Sequence, residues 1–494
     1  GNLSTKQQAL SAVEAAAKWC AAARPAPFSA LLPVVLSTTA KSTNTSLQCS
    51  ALVSSAAIIE ALGTHMLPLL PTAAPLLLDM ATALCQENEN DTDEKDIDAC
   101  QSAALAGVSA LVQHVGAFLT PFLPKLLALL LHPSLANAPA AAALRSNLPV
   151  QVPARVLLEP VRRAWEEAAR GGAPAVRSVL HVLKATLSHL DRATAKAHHT
   201  AVAEFLLTVL DLRGGEFGET ASVAEMDEVE GVAVEAMLAL TLKVSENSFR
   251  GIFHSVVQWG LARGGAESVG GRARLRALFR VADTLAGTLR SVMTPYFASL
   301  LGPAAAALTA TSDEAQTPKK RKKEAIKRHQ GTDLPSEVWA LREQIVRALH
   351  KCFLHDTSVD KFVDNDRFEQ VYPAIVQQIE ELPEDGEESM EDTVKTCLVQ
   401  LAVAAGSDTL WRPLNRAVLM VTRASKARAR VAALKVVSAM AARLHEEYLV
   451  LLPETMPFLA ELMEDPEEEV EAKCQELLQE LAVLSGEDLQ EMLA

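Results

Sequence analysis

"LLPETMPFLAELMEDPEEEVEAKC", running from Leu451 to Cys474, places two prolines four residues apart in an apolar helical pattern, breaks at an acidic "EDPEEE", and then resumes. Whether this is a local site or an architectural unit depends on recurrence. Sliding "ALVSSAAIIEALGTHMLPLLPTAAPLLL" (Ala51 to Leu78) by 53 residues onto "ALAGVSALVQHVGAFLTPFLPKLLALLL" (Ala104 to Leu131) superposes Gly63 on Gly116, Pro68 on Pro121 and Pro71 on Pro124 without a gap. A slide of 382 residues puts Leu52 on Leu434, Leu62 on Leu444, Pro71 on Pro453 and Pro75 on Pro457. Prolines and glycines coincide as well as leucines, so the match is more than shared composition.

The natural period is shorter than the first slide. Pro33 and Pro71 are 38 residues apart, and the step from Pro71 to Pro124 contains a polar insert of twelve residues, "ENENDTDEKDID" (Glu87 to Asp98), which brings 53 down to 41. A period near 40 with two helices per unit is the signature of HEAT-type hairpins. The expected fold is therefore all-α, an α-solenoid of HEAT-type helical hairpins. One helix of each pair ends near the glycine, and the next starts at "LLP", where proline's fixed φ and missing N–H are tolerated. In the last unit Asp465 is expected to cap the second helix, with Pro466 at its first position and the glutamates complementing its dipole. Val470, Cys474, Leu477, Leu478 and Leu481 then share one apolar face. Such a face is covered only by a neighbouring pair, so the array is extended and offers long surfaces to partners.

Composition agrees with helices. Hydrophobic residues make up 49% of the 494 residues but aromatics only 4%, the apolar content being mostly Ala, Leu and Val, which favours helix over strand. The formal charge of −15, from 46 Lys+Arg against 61 Asp+Glu, argues against wholesale binding to a polyanion and leaves room for local basic patches. Seven cysteines (Cys20, Cys49, Cys85, Cys100, Cys352, Cys397, Cys474) form no CxxC pair, so a reduced compartment is expected rather than a disulfide or zinc framework. Apolar runs such as "MLPLLPTAAPLLL" are short and broken by proline, which predicts a soluble protein. The chain begins at Gly1 without a signal-peptide pattern, as a piece of a longer protein does.

Four segments are expected. Residues 1–147 carry the clearest helix pairs; 148–310 keeps helical spacing while the period weakens, reading as a distinct segment that continues the stack; 311–333 is a basic, flexible linker; and 334–494 resumes the repeats. Within the linker, "PKKRKK" supplies Lys319, Lys320, Arg321, Lys322 and Lys323, an exposed basic run of the kind that enters an acidic import-receptor groove. A solvated charge run is the plainer reading. Arg423, Lys426, Arg428 and Arg430, ahead of an apolar helix in "TRASKARARVAALKVV", are candidates for contact with phosphate or an acidic partner, against the alternative of a solvated face. Isolated Arg-Gly-Gly triplets at Arg170, Arg213 and Arg263 read better as helix ends than as RNA-binding repeats. In "HKCFLHD", positions 350 and 352 point to different sides of a helix, so His350, Cys352 and His355 are structural rather than a metal site. No P-loop, GxSxG, HExxH or Gly-rich nucleotide fingerprint is present, and the carboxylate runs lie in solvated loops, so no catalytic, cofactor-binding or metal residues are expected.

At "VPARVLLEPVRRAW", "FRGIFHSVVQW", "LWRPLNRAVLMVTRASKARARVAALKVV" and "YLVLLPETMPFLAELMEDPEEEVEAKCQELLQEL" the chain resembles the C-terminal part of a family of very large HEAT-repeat nucleolar proteins of the small-subunit processome, in the transcription-associated group of U-three snoRNP proteins. The resemblance covers most of residues 115–494 and is densest after Trp339. One departure is Gly251 in "FRGIF", where a proline-like residue is expected. Membership implies a non-enzymatic scaffold of nucleus and nucleolus without cofactors. Its implied partners are other processome and snoRNP proteins and the 5′ external spacer of pre-rRNA, directly or indirectly, with no membrane and no small-molecule substrate. Its implied work is early pre-rRNA assembly, processing toward small-subunit (18S) rRNA and support of rDNA transcription. The competing reading is an importin-like HEAT-repeat transport receptor, against which the chain's own "PKKRKK" speaks, because a receptor binds such a signal. A phosphatase-type scaffold subunit would need a shorter, more uniform array.

Overall fold

The computed structural model describes residues 3–42, 44–87, 94–214, 216–262, 266, 268–310, 335–358, 360–382 and 388–489, and no β-strand occurs among them. Its contacts divide the chain into two units, Gly1–Arg250 and Gly251–Ala494. The basic run at 319–323 lies outside the described residues.

In the first unit the helices are α1 (Leu3–Cys20), α2 (Pro25–Lys41), α3 (Thr45–Leu62), α4 (Leu70–Glu87), α5 (Glu94–Val115), α6 (Leu123–Leu130), α7 (Pro139–Gln151), α8 (Ala154–Ala168), α9 (Ala173–Ser188), α10 (Arg192–Leu210), α11 (Glu216–Thr220) and α12 (Val223–Thr241). Helices α1, α3, α5, α7, α9 and α12 pack side by side in one layer, and α2, α4, α6, α8 and α10 in a second. The stacking continues through residue 148 without a break in kind. The run Thr45–Gln86 is long and apolar enough to pass for a membrane span by composition. It is interrupted at Gly63, and Ile58, Ile59, Ala74 and Leu77 are buried within the array.

Helix α13 (Glu246–Leu261) crosses the division. The second unit continues with α14 (Val269–Leu289), α15 (Leu301–Thr309), α16 (Ser336–Leu354), α17 (Asn365–Glu381), α18 (Glu388–Ala405), α19 (Asp408–Val421), α20 (Ala427–Leu444), α21 (Leu452–Leu462) and α22 (Glu468–Ser485). Here α14, α16, α18, α20 and α22 form one layer and α15, α17, α19 and α21 the other. Helices α18, α20 and α22 begin at 388, 427 and 468, steps of 39 and 41 residues that match the expected period. These are the stacked hairpins of an α-solenoid.

The link between the two helices of a hairpin is where the repeated glycine belongs. After α3, α14 and α20 the chain takes a positive φ, at Gly63 (+52°), Arg290 (+52°) and His445 (+53°), and then runs into 3-10 turns before the next helix. Three residues beyond each, Met66, Met293 and Tyr448 are wholly buried. Each turn thus plugs a large side chain under the hairpin while its backbone reverses. Pro71, Pro124 and Pro453 are the second residues of α4, α6 and α21, as expected, whereas Pro75 and Pro457 lie inside their helices. Pro457 cannot donate to the carbonyl of Pro453 one turn back, and both prolines are exposed.

At α22 the structure corrects one detail. The N-cap is Glu467, so Pro466 lies outside the helix. Asp465 instead accepts the Glu467 amide at 3.0 Å and pairs with Arg430 Nη2 at 2.8 Å. The five expected core residues of this helix are all buried.

Candidate interaction surface

The four basic residues singled out in the sequence lie at the start of α20, and each meets a partner within the chain. Arg423 is exposed, bonds Glu461 at 2.6 Å and lies over the Phe458 ring at 4.6 Å. Lys426 donates to the Leu382 carbonyl at 3.0 Å. Arg428 approaches Glu391 at 3.5 Å. Arg430 is buried, holding Asp465 and the carbonyls of Ala424 and Ser425. These contacts tie α20 to the repeats before and after it. The outward-facing arrangement expected for all four is kept by Arg423, while Arg430 is turned inward, where the carboxylate of Asp465 and the two carbonyls hold its two terminal nitrogens.

Similar ties recur. In the first unit Arg177 meets Glu228 at 2.8 Å and Lys184 meets Glu235 at 2.6 Å, joining α9 to α12 at two levels. In the second, Lys435 meets Glu391 at 2.7 Å, and the Ser438 hydroxyl meets Glu480 at 2.5 Å. Such pairs are individually weak where exposed; their regularity fixes the register of one hairpin on the next. Arg170 lies in the turn after α8, with Gly172 at φ +84°, and Arg213 in the turn after α10, paired with Asp227 and Glu230. Both are helix ends, as expected; Arg263 lies outside the described residues.

The second unit also has a polar cleft of about 360 Å³ between α14, α16 and α18, which the sequence reading touches only at His350. On α16, Arg347, His350 and Lys351 share one face at i, i+3 and i+4. Asp392, Thr393 and Thr396 face them from α18, and Asp283 from α14. Lys351 Nζ is committed to Asp283, 2.9 Å from its carboxylate. Gly287 makes room for that lysine, since a Cβ there would stand 3.3 Å from its Nζ. Arg347 is held by Glu343 at 2.7 Å. Burial lowers the pKa of His350; Asp283 opposes the effect, and Lys351 and His355 add to it. Cys352 is buried behind it, and no group of three metal-binding side chains occurs among the described residues.

Comparison with known proteins places this geometry. The BP28CT (NUC211) domain family matches residues 194–362. The chain is 32% identical over 474 residues to an uncharacterized protein of Arabidopsis thaliana, covering 92% of this chain and 21% of that one. It is 28% identical over 454 residues to HEAT repeat-containing protein 1 of Homo sapiens, covering 89% and 20%. To U3 small nucleolar RNA-associated protein 10 of Chaetomium globosum it is 30% identical over 468 residues, covering 90% and 25%. The chain therefore spans about a fifth to a quarter of the length of these relatives. Among solved structures, importin beta matches 92% of this chain and 50% of its own with a TM-score of 0.50 and 14% identity, a likeness of fold alone.

Proposed function

The chain belongs to the family of HEAT repeat-containing protein 1 and U3 small nucleolar RNA-associated protein 10, and on that basis we propose that it is part of a non-enzymatic scaffold for ribosome biogenesis. The carrying observation is that similarity to these relatives runs through about nine tenths of the chain, repeats and BP28CT domain together. In this reading the protein works in the nucleolus with U3 snoRNP and other processome proteins, supports early pre-rRNA assembly and processing toward 18S rRNA, and aids rDNA transcription.

The physical basis is a stack of hairpins whose apolar faces cover one another, leaving the polar helix faces for partners. The charge of −15 favours basic proteins over bare RNA as direct contacts. Arg423, Lys426, Arg428 and Arg430 serve first to join repeats, and Arg423 adds an exposed guanidinium for a partner. Lys319 to Lys323 serve as the import signal. The importin-like alternative rests on the fold likeness to importin beta, which carries no cargo or GTPase contact over to this chain.

The test is purification of the tagged protein from nuclear extract, with sequencing of bound RNA and mass spectrometry of bound proteins. Recovery of 5′ external spacer pre-rRNA with box C/D snoRNP proteins is expected. Recovery of a GTPase with assorted cargo and no pre-rRNA overturns the scaffold reading.

A further inference from the structure

We propose that the turn after α14 presents Arg290 as a docking point for a protein segment that carries a carboxylate beside an apolar side chain. Arg290 is exposed and holds φ +52°. The same position in an earlier hairpin is Gly63, which takes that angle without a Cβ, so the turn itself needs no long side chain. Backbone strain of this kind gathers at ligand clamps and switch regions, where function retains it. His445 shares the angle, but its exposed followers are Glu446 and Glu447, whereas Arg290 is followed by Ser291 and Val292. Strain marks both turns, and chemistry separates them.

The surroundings of Arg290 are apolar and cationic. Val292 is 60% exposed, and Leu354, the last residue of α16, is 41% exposed. Turn and helix end are tied together, because the buried Thr294 donates its hydroxyl to the His355 carbonyl at 3.4 Å while Met293 is plugged beneath. Among the described residues Arg290 makes no ion pair. His355 registers the local field: its pKa is lowered by burial first, then by Arg290 and Lys351, and no carboxylate opposes them. Lys351 is already matched by Asp283. The Asp356 carboxylate is buried and accepts the amides of Phe362 and Val363 at 2.9 and 3.0 Å. The charge left uncompensated at this corner is therefore that of Arg290.

A guanidinium with no counter-ion calls for an anion, and its fork of N–H donors fits a carboxylate at two points. The aliphatic neighbours decide which anion. An RNA strand is held by rows of cations along its phosphates and by aromatic platforms under its bases, and this corner offers one arginine beside Val292 and Leu354. An arginine among apolar side chains is instead the composition of a protein interface core, where covering the apolar rim with a partner strengthens the charge pair. The chain's charge of −15 favours basic partners overall. At about 0.15 M salt, charges more than about 8 Å apart are largely screened, so the local cation sets the preference here.

The docking point rests on the scaffold reading and deepens it by naming the chemistry of one partner contact, yet it is tested apart from it. The probe is a photoreactive benzoylphenylalanine in place of Val292 in the full 494-residue chain, tagged and irradiated in nuclear extract. Mass spectrometry maps the cross-linked segment of the partner. That segment, synthesised with a fluorescein label, is then titrated by anisotropy into the unmodified chain at about 0.15 M salt. The expected adduct carries Asp or Glu close to an apolar residue. Arg290→Gly and Arg290→Glu are each expected to lower adduct yield and peptide affinity about tenfold, and Arg290→Lys to lower them less. Amides in place of the peptide's carboxylates should abolish binding. Arg290→Gly relieves the strained angle, so its melting temperature should not fall, and lost binding is then not lost folding.

A cross-link to RNA at this position overturns the proposal, as does the absence of any adduct or an undiminished yield in Arg290→Glu. The same adduct from a photoprobe placed at exposed Val223 on α12 overturns it too, since the capture would then be unspecific. Recovery of pre-rRNA and snoRNP proteins by the tagged chain is read separately. The docking point can therefore fail while the scaffold stands, and an Arg290-dependent acidic adduct without those components sinks the scaffold alone.

Discussion

At the residue scale, one backbone conformation separates three positions that are otherwise equivalent. Gly63 adopts φ +52° without a Cβ, whereas Arg290 and His445 hold nearly the same angle with one. Strain of this kind costs about 1–3 kcal/mol per residue, partly offset by the greater unfolded-state freedom of glycine, about 0.5–1 kcal/mol. His445→Gly and Arg290→Gly are therefore expected to raise stability by about 1 kcal/mol, and Gly63→Ala to lower it by about 1–3 kcal/mol, in urea unfolding midpoints. Gly251 behaves oppositely: it lies inside α13 with nothing within 4 Å of where an alanine methyl would stand, so Gly251→Ala should add about 0.5–1 kcal/mol. A second residue-scale expectation concerns Cys474, whose thiol is pushed up to about 12 by burial, with Asp465 and Glu471 adding to it. A raised folded pKa gives stability that is complete below the ordinary thiol value and is lost as pH rises toward the folded one. Replacing Cys474 with alanine should therefore flatten the decline in stability between about pH 9 and about pH 11, whatever it costs at neutral pH.

At the element scale, the turn between α20 and α21 carries a buried polar network in place of a simple apolar plug. Tyr448 donates to Asn415 Oδ1 at 3.0 Å, Asn415 Nδ2 donates to Thr455 Oγ1 at 3.1 Å, and Thr455 donates to the Leu451 carbonyl at 3.0 Å. All three side chains are fully buried. Tyr448→Phe keeps the ring and strands the Asn415 oxygen, so it should cost about 1–3 kcal/mol. Met66 and Met293, at the same register, show that an apolar side chain suffices elsewhere. The same contrast marks what was legible in the sequence. The spacing of Gly63, Pro71 and Pro75 against Leu444, Pro453 and Pro457 reveals the hairpin, because a turn with fixed φ requirements constrains residue type locally. The helix expected to begin at Pro466 begins at Glu468, and the Asp465 carboxylate, besides accepting the Glu467 amide, answers a charge on another helix, Arg430, which linear spacing does not reveal. The cleft was not legible for the same reason: Asp283, Arg347 and Thr396 come from three helices separated in sequence, and none belongs to a motif.

At the scale of the whole molecule, the acidic balance and the basic run at 319–323 pull in different directions and suit separate tasks. A chain with a charge of −15 carries five consecutive cations at Lys319 to Lys323 between α15 and α16. The helix end before the segment is secured without them: the carbonyl of Ala310 is held by Arg342 Nη2 at 3.0 Å, and the Gln378 side chain holds the Leu308 carbonyl at 3.0 Å. The root of the segment is thus fixed by α16 and α17, independently of its charges. Alanine at all five positions should therefore leave the melting temperature and far-ultraviolet circular dichroism unchanged. It should also lower the nuclear-to-cytoplasmic ratio of a fluorescently tagged chain several-fold, because an import-receptor groove reads such a run by its charges. Unchanged nuclear accumulation would remove the import role from these residues, and a fallen melting temperature would mean that the run serves the fold after all.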